Sequence, residues 1–115
     1  MRHGRRVGEA IGLYRALQAG FPSSPEARLS HLSLGDLLLA GGDDRAAIVE
    51  LDAYLGGPGA PLAEEALVKK ARALERLERP TQEQETWREL LARFPSSGYA
   101  WRARQRLARL EGDRP

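Results

Sequence analysis

An all-α fold of about six antiparallel helices, built as a repeat array, follows from three features of the sequence. Apolar residues recur at helical spacing along the chain, and no segment alternates convincingly with period two. Glycine and proline cut that pattern into short segments. The word Phe21-Pro22-Ser23-Ser24 returns as Phe94-Pro95-Ser96-Ser97, 73 residues later, a spacing of about two units.

Taken in order, the chain starts with a basic, glycine-containing stretch that is expected to fray over residues 1–6. From about Val7, the residues Ala10, Leu13, Tyr14 and Leu17 predict a short amphipathic helix, ended by Gly20 and Pro22. Ser24 is placed to cap a second helix, with Pro25 at its first position, where the missing N–H costs nothing. Gly41-Gly42 closes that helix near Ala40. Asp43 or Asp44 opens the third, which carries Ala46, Ala47, Ile48, Leu51 and Leu55 up to the break at Gly56-Gly57-Pro58-Gly59. Pro61 opens a fourth helix, with Leu67, Ala71, Leu74 and Leu77 on its apolar side, and Pro80 stops it. Thr81 and Gln84 have the spacing of a capping box for a fifth helix bearing Trp87, Leu90 and Leu91. Phe94-Pro95 ends it. Ser97 is expected to cap a sixth helix that faces inward with Tyr99, Ala103, Leu107 and Leu110. Residues 7–110 are expected to form one helical repeat domain, followed by a tail at 111–115.

The repeat extends beyond the exact word. Leu51 and Trp87 lie 36 apart, as do Leu55 and Leu91, Gly35 and Ala71, Leu38 and Leu74, and Pro25 and Pro61, while Tyr14 precedes Leu51 by 37. The chain therefore reads as the second helix of one unit, two whole units, and the first helix of another. One helix pair cannot bury its apolar face, so such units stack and share a core. Gly35 and Ala71 are small enough for the helices of a unit to approach closely, and Leu51 and Trp87 fill the remaining space.

The stretch Leu34-Gly35, Leu38, Gly42-Asp43, Ala47-Ile48, Leu51 and Tyr54-Leu55 resembles one repeat of the tetratricopeptide family, and the resemblance covers nearly the whole chain. The ending Glu89-Leu90-Leu91-Ala92-Arg93-Phe94-Pro95-Ser96-Ser97 is similar to the bacterial envelope subgroup, which includes the Tol–Pal accessory protein and the outer-membrane assembly lipoprotein. The resemblance implies a right-handed α-solenoid that binds peptides or proteins along a concave groove. Three residues depart from the family pattern: Lys70 stands at an apolar position, Glu83 at a position that favours Ala, and Tyr54 at one that favours a small residue.

Composition narrows the class of function. The chain has 115 residues, 42% hydrophobic and 30% charged, which describes a globular chain able to bury roughly two-thirds of its unfolded surface. With 18 basic and 16 acidic residues the net charge is only +2, so no strong overall field draws in polyanions. The basic residues are Arg apart from Lys69 and Lys70, as a GC-rich coding bias would give. Absence of Cys excludes disulfides and thiolate metal sites. His3 and His31 are the two histidines, and neither a paired-His metal motif nor a serine elbow is present. The glycine-rich break at residues 56–59 lacks the Lys-Ser or Lys-Thr of a phosphate loop. No enzyme activity, cofactor or metal is expected. No apolar run reaches the ~18 residues of a membrane span, and the basic start has no signal-type apolar core behind it. As it stands the chain is expected in the cytoplasm, or in the periplasm if it is part of a longer exported protein.

If the groove forms as the resemblance implies, it is lined by the first helix of each unit. On the second helix that face carries Leu29, Leu32, Asp36 and Leu39, with Leu39 the favoured contact; on the fourth it carries Glu65, Val68, Arg72, Glu75 and Arg76. The last helix holds Arg102, Arg104, Arg106 and Arg109, with no acid between Ser97 and Leu110 and with Tyr99 and Trp101 nearby. That pattern can bind phosphate backbones and stacked bases. A polar outer face on the terminal helix of an array explains it more simply. The expected partner is a protein or peptide. The alternatives are nucleic acid at the Arg-rich helix and a second copy of the chain meeting Leu13, Tyr14 and Leu17.

Overall fold

A computed structural model describes residues 2–57 and 60–112. Among the described residues six helices follow one another: α1 (Arg2–Gly20), α2 (Pro25–Ala40), α3 (Asp44–Leu55), α4 (Ala63–Arg76), α5 (Pro80–Arg93) and α6 (Ala100–Gly112). No strand occurs among the described residues. The all-α, tetratricopeptide-like class read from the sequence is the class observed. The helices group into two compact units, Met1–Ala60 with α1 to α3 and Pro61–Pro115 with α4 to α6. In the first, α2 packs against both α1 and α3; in the second, α5 packs against both α4 and α6. Among the described residues no helix is long and apolar enough to cross a membrane.

Several boundaries move from their expected places. The first helix begins at Arg2 rather than near Val7, while Met1 of the expected frayed start lies outside the described residues. Glu111 and Gly112, expected in a tail, continue α6, and residues 113–115 lie outside the description. Pro58 and Gly59 of the expected break do so as well. Pro61 sits in a turn, and α4 starts two residues later with Leu62 at its N-cap and no side-chain cap. Glu64 and Glu65 in its first turn favour the positive end of the helix dipole.

The Thr81–Gln84 capping box does not form. Pro80 opens α5 at its first position, leaving Arg79 as an N-cap without a side-chain hydrogen bond, so Thr81 is already inside the helix. Proline at that position is pre-set for helical φ and has no N–H to satisfy, which lets the helix start earlier than the Thr would place it. Ser24 caps α2 as expected, its Oγ accepting the Ala27 N–H at 3.0 Å. Ser97, in the same four-residue word, behaves differently. Its Oγ accepts from the Tyr99 N–H at 3.0 Å and donates to the Glu64 carboxylate, and α6 begins only at Ala100. Pro25 follows Ser24 and commits the chain to a helix at once, whereas Gly98 follows Ser97 and permits a further turn.

The core of the first unit gathers Leu34, Leu38 and Ala47, with Ile11, Tyr14, Leu39 and Ala46 packed around them. Leu51 and Tyr54 are buried as well. Gly35 lets α2 and α3 meet: a Cβ there would lie 3.0 Å from Leu51 Cδ2. In the second unit Leu67, Ala71, Leu74, Trp87, Leu90, Ala103 and Leu107 are buried. Leu13, read as part of the inner stripe of α1, is 72% exposed, because the buried side of that helix runs through Ile11 and Tyr14 instead.

Helices α2 and α4 close by the same device with different residues. After α2 the Asp43 N–H donates to Leu38 O at 2.8 Å and the Gly42 N–H to Leu39 O at 3.1 Å, with Gly42 at φ +82°. After α4 the Arg79 N–H donates to Leu74 O and the Glu78 N–H to Glu75 O, both at 3.0 Å, with Glu78 at φ +55°. Both are Schellman closures, and the left-handed position costs a residue with a Cβ about 1–2 kcal/mol. We predict that Glu78→Gly raises stability by about 0.5–1 kcal/mol, after allowing for the extra freedom of glycine in the unfolded chain. Gly42→Ala should lower it by about 1 kcal/mol. Urea denaturation of the two variants tests this, and a destabilised Glu78→Gly would contradict it.

Candidate functional site

The face of α2 expected to meet a partner divides by burial. Leu29 is 48% exposed, Asp36 is exposed, and Leu39 is half-buried against the core of its unit. Leu32 is buried. Leu32 therefore has no surface to offer, and Leu29 rather than Leu39 is the more accessible apolar side chain. On α4, Glu65 is half-buried, while Arg72, Glu75 and Arg76 are exposed. Val68 is buried with Leu67 and Ala71. A β-branched residue on a helix with a strong apolar side is taken up by packing, which removes Val68 from the accessible set.

The arginines of α6 divide as well. Arg102, Arg104 and Arg109 are exposed. Arg106 turns back to α5: its Nε donates to Glu83 Oε2 at 2.6 Å and its Nη2 to Glu83 Oε1 at 3.1 Å. A forked Arg–carboxylate pair of this kind is geometrically specific and strong. Arg106 belongs to the interior architecture and is withdrawn from the basic patch. Trp101 is 71% exposed.

The polar centres of the two units were not read from the sequence as such. Glu83, noted above as a departure from the family's Ala, is 1% exposed. Besides the Arg106 fork it accepts the Trp87 indole N–H at 2.9 Å, and Glu75 on α4 lies 3.8 Å from Arg106 Nε. One carboxylate thus joins α5 to α6, with α4 close behind. The first unit does the same with Glu50, a buried residue of α3. Arg15 on α1 reaches Glu50 Oε2 at 2.7 Å, and His31 Nδ1 on α2 lies 2.9 Å from Oε1. Gln18 on α1 donates to Oε1 at 3.2 Å and to Ser30 Oγ at 3.0 Å. A signal was present, because Glu50 interrupts the apolar stripe of Ala47, Leu51 and Tyr54 at helical spacing.

Burial opposes a charge on Glu50, but hydrogen bonds from His31 and Arg15 and the charge of Arg15 outweigh it. The carboxyl is held below its ordinary value. Both oxygens of each carboxylate are engaged by donors, among them one or more from a neighbouring helix, so the two groups act as fastenings between helices. Of the residues expected at a binding surface, Leu29 and Asp36 on α2, Arg72, Glu75 and Arg76 on α4, and Arg102, Arg104 and Arg109 on α6 are exposed.

No curated protein matches the chain. Residues 65–97 match the family model described as "Tetratricopeptide repeat", from the first turn of α4 through α5 to the Ser97 turn. The matched stretch contains Lys70 and Glu83, two of the residues that depart from the pattern, while Arg106, the partner of Glu83, lies beyond it. That stretch is similar to a tetratricopeptide repeat, and it sits in a chain whose described residues form tetratricopeptide-like helical hairpins.

Proposed function

We propose that the chain is a non-catalytic binding module that holds a partner protein or peptide on the outward faces of its repeat helices. Tetratricopeptide repeats generally mediate protein–protein interaction, and residues 65–97 match that family. The observation that carries the reading is Leu29, an apolar side chain left 48% exposed on a helix that buries Leu32, Leu34 and Leu38. The buried fastenings at Glu50 and Glu83 support it, because a surface held rigid by three cross-linked helices binds at low ordering cost on its own side. The ending from Glu89 to Ser97 supports a place among bacterial envelope repeat proteins.

The test is a pull-down from bacterial lysate with the wild type and with Leu29→Glu, Arg72→Glu, both confirmed helical by circular dichroism. A protein retained by the wild type and lost from the variant supports the reading. Retention of the same nuclease-sensitive material by both overturns it. Self-association through α1 is a second reading, favoured by exposed Leu13 and Phe21 on the first helix and the turn after it. Tyr14 is turned into the core of its own unit and takes no part. Sedimentation of the same preparations at high micromolar concentration decides that reading, and a monomer rejects it.

A further inference from the structure

We infer that the outer face of α6 is a docking surface for an acidic amphipathic helix of a partner protein. The inference rests on the protein-binding reading and specifies the chemistry of the partner. On α6, Trp101, Gln105, Ala108 and Gly112 are all exposed and recur at the spacing of one helix face. Arg102 and Arg109, one heptad apart, flank that strip on one side, and Arg104 flanks it on the other. The opposite face is anchored by buried Ala100, Ala103 and Leu107 and by the Arg106–Glu83 fork. The strip is therefore an outer surface on a fixed helix. Trp101 stands at the N-terminal end of the strip and is its one large apolar residue, followed by the smaller side chains of Gln105 and Ala108 and by Gly112. Over these a partner helix can bring an apolar ridge against the Trp101 ring.

Charge decides what flanks that ridge. From Ser97 to Leu110 the chain has no acid, and Glu111 is already paired with Arg88 at 2.8 Å. Three exposed guanidinium groups flanking the strip that begins at Trp101 are complementary to carboxylates flanking an apolar ridge. Trp and Arg are also the residues that most often dominate binding energy at interfaces. Nucleic acid fits less well. Arg106 is spent on Glu83, one exposed aromatic gives stacking for a single base, and a chain of net charge +2 supplies little long-range attraction.

Trp101 provides the readout, because the other tryptophan, Trp87, is 1% exposed and should not respond. The probes are a synthetic 18-residue helical peptide with leucines at i, i+4 and i+7 flanked by glutamates, its lysine-for-glutamate analogue, and a single-stranded 12-mer oligonucleotide. The glutamate peptide should blue-shift Trp101 emission and protect it from acrylamide, binding at least about tenfold tighter than the lysine analogue. Trp101→Ala, followed by a labelled peptide, should weaken binding by about 30-fold, as loss of a central anchor does. Arg102→Glu, Arg104→Glu, Arg109→Glu should reverse the preference towards the lysine peptide, and these exposed substitutions leave the core untouched. Equal binding of the two peptides, or binding of the oligonucleotide alone, would overturn the inference. If a lysate partner is lost by Leu29→Glu, Arg72→Glu but kept by Trp101→Ala, the inference fails while the protein-binding reading stands.

Discussion

Arg106→Ala should destabilise the second unit by about 3–5 kcal/mol, the largest effect expected of any single polar substitution in the chain. Glu83 is almost wholly buried, and Arg106 supplies both arms of the fork that satisfies its two oxygens. With the guanidinium gone, the Trp87 indole N–H remains as one donor to a charge that has lost its counter-ion. An unpaired buried charge must then draw in water or unfold its surroundings. The reverse deletion should be milder. Glu83→Ala places at this position the residue type that the first unit buries at the equivalent Ala47, and Arg106, at the rim, can turn towards solvent. Its cost is the unpaired Trp87 N–H and a small void, about 1–3 kcal/mol. Replacing both partners, as in Glu83→Ala, Arg106→Met, should recover most of the loss, because an apolar pair avoids the desolvation of two charges. Urea denaturation of Glu83→Ala, Arg106→Met and the double variant that combines them closes a cycle and gives the coupling energy directly. Equal losses for the two single variants, adding in the double variant, would show that the fork is not the fastening described here.

How much of this was legible in the sequence depends on the kind of interaction. Six helices and their order could be read because Gly41-Gly42, Pro25, Asp43 and the apolar spacing act locally, and the structure uses each of them. The exact word Phe-Pro-Ser-Ser gave the spacing of the array but not the local hydrogen bonds. One following residue, Pro25 against Gly98, decides whether the serine caps a helix or serves a turn. The start of α5 was misplaced because a proline that ends one helix can also open the next, and the sequence does not say which residue begins it. Burial of Leu32 and Val68 depends on how wide a stripe each helix covers, which is a tertiary property. The fastenings were hidden for a different reason. Glu50 and Glu83 look like interruptions of an apolar stripe until Arg15 and Arg106 arrive from helices 35 and 23 residues away.

The first unit should lose stability in acid more steeply than its count of carboxylates suggests, and Glu50 should be the reason. Its carboxyl titrates lower in the folded chain than the ordinary value of 4.5, since His31 and Arg15 overcome the cost of burial. A group whose folded pKa is depressed binds its proton less readily when folded. Its stabilising contribution is therefore fully present above the unfolded value and is lost as pH falls through the folded one. Helicity of the unit should then hold at pH 6 and fall below about pH 4. Glu50→Gln keeps the size and two hydrogen-bonding atoms but removes the charge. It should cost about 1–3 kcal/mol near neutrality, less than Arg106→Ala, because Arg15 is half-exposed and can be re-solvated when its partner is neutral. The same variant should flatten the acid limb of a stability–pH curve measured by urea denaturation from pH 3 to 7. Other groups face this carboxylate, Arg15 and Gln18 from α1 and His31 from α2, so His31→Gln is the control for the histidine's share. An acid limb as steep in Glu50→Gln as in the wild type would place the lost protons elsewhere. A limb that flattens only in Glu50→Gln, with His31→Gln retaining part of the slope, would show Glu50 fastening three helices through its charge.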